Sequence, residues 1–201
     1  MLRPAGLHGI DMAAQIRIAR LSDAGPACEV VRRSIVECCH QDHHNDDRIL
    51  SKWLGNKTPE ILAGWFASAG NYALVADVEA DILGVGLLTQ AGRIGLCYVT
   101  PELRFAGTGK ALLGTMEAKA REWGLPFVSL DSTVTAKDFY LRQGYLAGEM
   151  RPAKSGIRAI SLWKYLDDSL SGPASEPRAE GRPCLCALAG RDGERNLQYK
   201  I

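Results

Sequence analysis

The sequence predicts a single α/β domain of the α+β kind, with strands and helices interleaved along the chain. Three observations carry this. Short apolar runs, some alternating with polar residues, recur between segments whose apolar residues return every three or four positions. Gly, Pro, Ser, Asn and Asp punctuate the boundaries between them. The 201 residues are enough to bury one substantial core, since domains commonly run to roughly 100–200 residues.

Residues 1–11 carry no periodicity and read as a leader without order, which makes Met12 the expected natural start. A first strand follows, in which Ile16, Ile18 and Leu21 alternate with polar or small neighbours. Ser22 is placed to cap a helix from about Asp23 to Cys39, whose buried face is Ala27, Val30, Val31, Ile35 and Cys38. After the polar stretch His40 to Asp47, the residues Ile49, Leu50, Trp53 and Leu54 predict a short helix. Thr58 caps the next one, with Pro59 in its first position and Ile61, Leu62, Trp65 and Phe66 as its apolar face. Both tryptophans are expected in the core.

Tyr72 to Val78 and Ile82 to Thr89 predict two strands of a hairpin. Gly84 and Gly86 lie inside the second, where glycine weakens a strand unless something approaches closely. A strand from Ile94 to Val99 closes at Pro101, which cannot donate to a ladder. From Gly107 to Trp123 the residues Leu112, Leu113, Met116, Ala120 and Trp123 form one helical stripe, ended by Gly124. Phe127 to Leu130 is a short buried strand, Thr135 to Gln143 a helix with Thr135 as its cap, and Ile157 to Trp163 a last strand. Residues 12–168 form the expected domain, and 169–201, rich in Ser, Gly, Pro, Glu and Arg, a flexible tail.

The formal net charge is +1, and no run of Lys or Arg offers the footprint that nucleic acid or an anionic membrane requires. No stretch approaches the roughly 18 apolar residues of a membrane span, and no signal-peptide pattern opens the chain. Six cysteines show no disulfide-framework spacing. The chain therefore reads as a cytoplasmic protein with reduced thiols and a small-molecule or peptide partner, which leaves room for a homodimer.

The segment Arg104-Phe105-Ala106-Gly107-Thr108-Gly109-Lys110 lies between a strand and a helix. There glycines let the backbone approach an anion, and the first N–H groups of the helix point at it. A P-loop would need glycine where Arg104 stands and a hydroxyl after Lys110, where the chain has Ala111. A dinucleotide fingerprint would need G-x-G-x-x-G, which Gly107 and Gly109 do not complete. The run Cys38 to Asp47 is dense in metal-ligand types but has no zinc spacing, so no metal is expected.

With Val99, Pro101, Arg104, Gly107, Gly109 and Leu112, this region resembles the GNAT superfamily of N-acetyltransferases, whose hallmark is V-x-P followed by R-x-x-G-x-G and an amphipathic helix. The later run Thr135 to Tyr145 looks like the same family's A-x-x-x-Y-x-x-x-G-[FY] element. Phe105 stands where many members have glycine, and Thr133 where many have asparagine.

The resemblance implies a GNAT fold, a mixed and mainly antiparallel sheet of six or seven strands flanked by about four helices, and acetyl-CoA as cosubstrate. It implies that Cys97, Tyr98 and Val99 present main-chain groups to the pantetheine arm, that residues 104–110 hold the pyrophosphate, and that Thr133 adds a contact. It also implies that the phenol of Tyr140 meets the departing sulfur. A phenol of pKa about 10 can return a proton to a thiolate whose reference value is about 8.5. The loop with His40, Asp42 and His43 is expected to border the acceptor, any of the three orienting an amine. Asp131 is a candidate base, with water as the alternative. The expected activity is transfer of an acetyl group to a primary amine of a small molecule or peptide; the competing expectation is a catalytically silent acyl-CoA-binding sensor.

Overall fold

The computed structural model describes residues 14–153 and 156–167. The expected leader, the tail and the Cys184-x-Cys186 pair lie outside the described residues. In chain order the elements are β1 (Gln15–Ile18), α1 (Ala24–Cys38), α2 (His40–His43), α3 (Asp47–Leu54), α4 (Pro59–Ala67), β2 (Asn71–Val78) and β3 (Asp81–Thr89). Then come β4 (Ile94–Val99), α5 (Thr108–Glu122), β5 (Phe127–Ser132), α6 (Lys137–Arg142), β6 (Leu146–Pro152) and β7 (Arg158–Tyr165).

Seven strands form two antiparallel groups, β1-β2-β3-β4 and β5-β7-β6. They meet through one parallel bridge between Arg93 and Ser129, where the Ser129 N–H donates to the Gly92 carbonyl at 2.8 Å. The sheet is therefore mixed and mainly antiparallel, with α1, α3 and α4 on one face and α5 on the other.

Strand alternation sorts the core accordingly. Ala73, Val75, Val85 and Leu87 pack with Val31, Ile35, Trp53 and Leu62 of the first helix layer. Leu74, Ala76 and Leu88 pack with Leu112, Leu113 and Met116 of α5. Gly84 and Gly86 lie under α5. A Cβ on Gly84 would stand 3.1 Å from Leu112 Cδ1, and one on Gly86 3.2 Å from Met116 Sδ. The strand gives up side chains there so that the helix can approach.

Several boundaries differ from the sequence reading, each for a physical reason. Ile18 and Leu21 are exposed, because β1 is an edge strand whose order is fixed instead by Arg17, which pairs with Asp23 at 2.7 Å and with Asp77 at 3.5 Å. Asp23, rather than Ser22, organises the approach to α1, accepting from the Arg20 N–H at 2.7 Å. The first helix stops at Cys38 and α2 follows as one separate turn. Thr135 does not cap α6: its hydroxyl donates to Asp42, and Thr133 Oγ1 accepts from the Ala136 N–H at 3.1 Å. Thr58 caps α4 as expected, accepting from the Ile61 N–H at 3.3 Å. No helix among the described residues is long and apolar enough to cross a membrane.

Candidate active site

Arg93, just before β4, bridges to Ser129 within β5. Beyond the Arg93–Ser129 bridge the two strands part, and a cleft of about 470 Å³ opens between them, continuing under the loop after β4 and along α6. Because β4 ends its sheet group, its main-chain edge from Gly95 to Val99 has no strand partner on the cleft side. An extended polar ligand can pair with such an edge.

The loop after β4 turns at Pro101–Leu103 and reaches Gly107, whose φ of +88° is in the left-handed region that suits glycine. Gly107 then starts the 15-residue α5. The N–H groups of that first turn have no intrahelical acceptor and carry the positive end of the helix dipole. Arg104, Phe105, Gly107, Gly109 and Lys110 all line the cleft. Phe105 also has a left-handed backbone, φ +66°, and is 90% exposed. That conformation costs a non-glycine residue roughly 1–2 kcal/mol. Of the predicted loop residues, Ala106 and Thr108 do not line the cleft. Thr108 is buried, its methyl 3.5 Å from where a Gly84 Cβ would stand.

Cys97, Tyr98, Val99 and Tyr140 converge on the cleft floor. Tyr140 is buried, with Phe139 and Tyr145 edge-on at 4.9 and 5.5 Å between centroids. Cys97 packs in the same apolar cluster, and its thiol donates to the Gly109 carbonyl at 3.8 Å. Burial raises the Tyr140 phenol well above its ordinary value and pushes the Cys97 thiol up to about 12. The same dry environment penalises any thiolate formed beside the phenol, so their relative acidities move together. Tyr140 holds its proton at neutral pH.

Thr133 and Asp131 also line the cleft. Thr133 braces the turn before α6, its Oγ1 accepting from the Ala136 N–H. One carboxylate oxygen of Asp131 is bound by Arg93 and the other accepts from Ser161 Oγ at 3.2 Å.

The three expected acceptor residues are placed differently: His40, Asp42 and His43 do not line the cleft. His40 is exposed, with Nδ1 3.1 Å from Asn45 Oδ1. His43 is fully buried, its Nδ1 accepting from the Asn45 N–H at 3.0 Å. Asp42 is buried and accepts from the Val134 N–H at 2.7 Å, the Thr135 N–H at 3.3 Å and the Thr135 hydroxyl. Its carboxylate ties α2 to the loop between β5 and α6. Among the described residues, no three His, Cys, Asp or Glu side chains are grouped to share a metal ion.

The cleft is also lined by Ser34, Cys38, Cys39 and Thr135; Cys38 and Cys39 open the run Cys38 to Asp47 expected to border the acceptor, whereas Ser34 carries no such mark in the sequence. Cys38 had been counted as core. Asp138 and Arg142, one turn apart on α6, were missed as well. In both helices the signal present was spacing: Ser34 with Cys38, and Asp138 with Arg142, each share a helix face.

An acetyltransferase (GNAT) domain model matches residues 41–166. No curated protein matches the sequence. Among solved structures, the chain is similar to a GCN5-related N-acetyltransferase from Rhodopseudomonas palustris at 18% identity and TM-score 0.69, covering 79% of this chain and 99% of that one. It is also similar to the PaiA N-acetyltransferase from Thermoplasma acidophilum in complex with coenzyme A, at 17% identity and TM-score 0.64, covering 77% and 99%. The YncA protein from Salmonella typhimurium, solved with its cofactor acetyl-CoA, aligns at 16% identity and TM-score 0.60 over 83% and 98%. These likenesses establish the fold. With the domain match spanning more than half the chain, on a sheet that parts beside an R-x-x-G-x-G loop, the protein belongs to the GNAT family of acetyl-CoA-dependent acetyltransferases.

Proposed function

We propose that the protein moves an acetyl group from acetyl-CoA directly to a primary amine of a small molecule or peptide. The observation that carries this reading is the meeting of three features in one cleft: the anion cradle at Gly107, the unpaired edge of β4, and the buried phenol of Tyr140. The first turn of α5 receives the pyrophosphate, with Arg104, Lys110 and Arg142 supplying positive charge around the cleft. The pantetheine arm pairs with the main chain of Cys97 to Val99, which places the thioester beside Tyr140.

The amine lone pair attacks the thioester carbonyl carbon, the C–S bond breaks, and the sulfur takes the bonding pair. Tyr140 then supplies a proton to that sulfur. Asp131, held by Arg93 and Ser161, acts as a positioning residue for β5; the amine proton leaves through water, and a proton from solvent restores the Tyr140 phenol. At the acceptor end the lining side chains Ser34, Cys38, Cys39 and Tyr98 are uncharged or thiol-bearing. This favours an amine attacking in its neutral form on a body with little positive charge. The four described cysteines are free, which suits a reducing, cytoplasmic setting.

The test is thiol release from acetyl-CoA against a panel of primary amines. Replacing Tyr140→Phe is expected to lower kcat about 100-fold, within the range of general acid catalysis, with KM for acetyl-CoA unchanged. An unchanged kcat would remove Tyr140 from the reaction. Silence toward every amine despite tight acetyl-CoA binding would favour a sensor.

A further inference from the structure

We propose that Phe105 is the platform on which the adenine ring of coenzyme A stacks. The inference rests on the acetyl-CoA reading above and gives one residue of the 104–110 loop a separate role, toward the base and not the pyrophosphate. Phe105 is the most exposed large apolar side chain among the described residues, at 90%, and it lines the cleft mouth. An aromatic ring left in water gains nothing from folding, and a φ of +66° makes its conformation unfavourable for a bulky residue. Glycine, common at this position in the family that the loop resembles, would fit without strain.

Position and chemistry identify the occupant. With the pyrophosphate at the first turn of α5 and the pantetheine arm running inward along β4, the nucleotide end must lie on the solvent side of the cradle. Phe105 stands on that side, two residues before Gly107. The Arg104 guanidinium covers one face of its ring at 5.0 Å, and the high exposure leaves the other face open. A purine on that face completes a stack of guanidinium, phenyl and base.

The test is calorimetric titration of the wild type, Phe105→Gly and Phe105→Trp with coenzyme A and with 4′-phosphopantetheine, which lacks adenine. Phe105→Gly is expected to bind coenzyme A about tenfold more weakly and phosphopantetheine as the wild type does. Its Tm is expected to rise by about 2–4 °C, because the backbone strain is released. Phe105→Trp should keep coenzyme A affinity, with indole emission that coenzyme A quenches and phosphopantetheine does not. Equal coenzyme A affinity in the wild type and Phe105→Gly overturns the proposal, as does an equal loss for both ligands. A wild type that binds neither ligand overturns the acetyl-CoA reading itself, and the two failures are thereby told apart.

Discussion

The end of the cleft beside α5 is shaped by main chain, whereas the region beside α1 and α2 is held by buried polar side chains. At the first, Gly107 and Phe105 sit in left-handed backbone and the helix start faces the cleft. At the second, Asp42 spans from α2 to the loop before α6, His43 is enclosed with Nε2 unpartnered, and beside Cys28 on α1 Lys57 is buried against Trp65. The difference teaches where each end is vulnerable. A main-chain site tolerates side-chain change wherever φ and ψ remain accessible. A site braced by buried polar groups fails when one partner is removed, since the other is left unsatisfied.

The largest effect expected from breaking this contrast is at Asp42. Asp42→Ala removes the acceptor for two N–H groups and a hydroxyl, and should cost about 3 kcal/mol in urea unfolding. The freed loop carries Thr133, so acetyl-CoA affinity should fall with it. If acceptor KM rose while stability held, Asp42 would be an acceptor ligand and not a brace.

Next is Lys57, whose Nζ donates to Asn56 Oδ1 and whose burial lowers its pKa from 10.5 to about 8. The unfolded chain keeps that proton up to the ordinary value, while the folded chain releases it at about 8. Stability should therefore rise as pH climbs through this window and be lowest below it. Lys57→Met should add about 2 kcal/mol at pH 7 and flatten that rise; a denaturation series from pH 7 to about 10.5 checks both. A profile unchanged by the substitution would show that Lys57 is solvated.

The smallest effect belongs to the main-chain end. Gly84→Ala places a Cβ 3.1 Å from both Ala76 Cβ and Leu112 Cδ1, so that Leu112, and through it α5, must give way by a few tenths of an ångström. A loss of about 1 kcal/mol with a few-fold weaker coenzyme A binding is expected. A full-strength cradle in this variant would mean that α5 seats itself independently of the sheet.

This contrast also explains what could be read from sequence. The cradle was legible because it imposes local demands: a strand closed by Pro101, a left-handed Gly107, and a helix with one apolar stripe. β2, β3 and β4 announced themselves by apolar runs. β6 did not, since all of its residues are exposed and no apolar alternation marks it. Asp42 is conspicuous in the sequence, but its bracing contact is not, because its partner Val134 lies 92 residues away and no local pattern records such a contact. Thr135 reads as a cap for the same reason: its hydroxyl is held by Asp42, and the turn before α6 is braced by Thr133 instead.

The bridge between Arg93 and Ser129 gives the cleft a mechanical character. Among the described residues the two half-sheets share this joint, and the Arg93–Asp131 ion pair straddles it like a pin. The protein holds its jaws open by declining to zip, and a ligand lying along β4 becomes the missing rung between them.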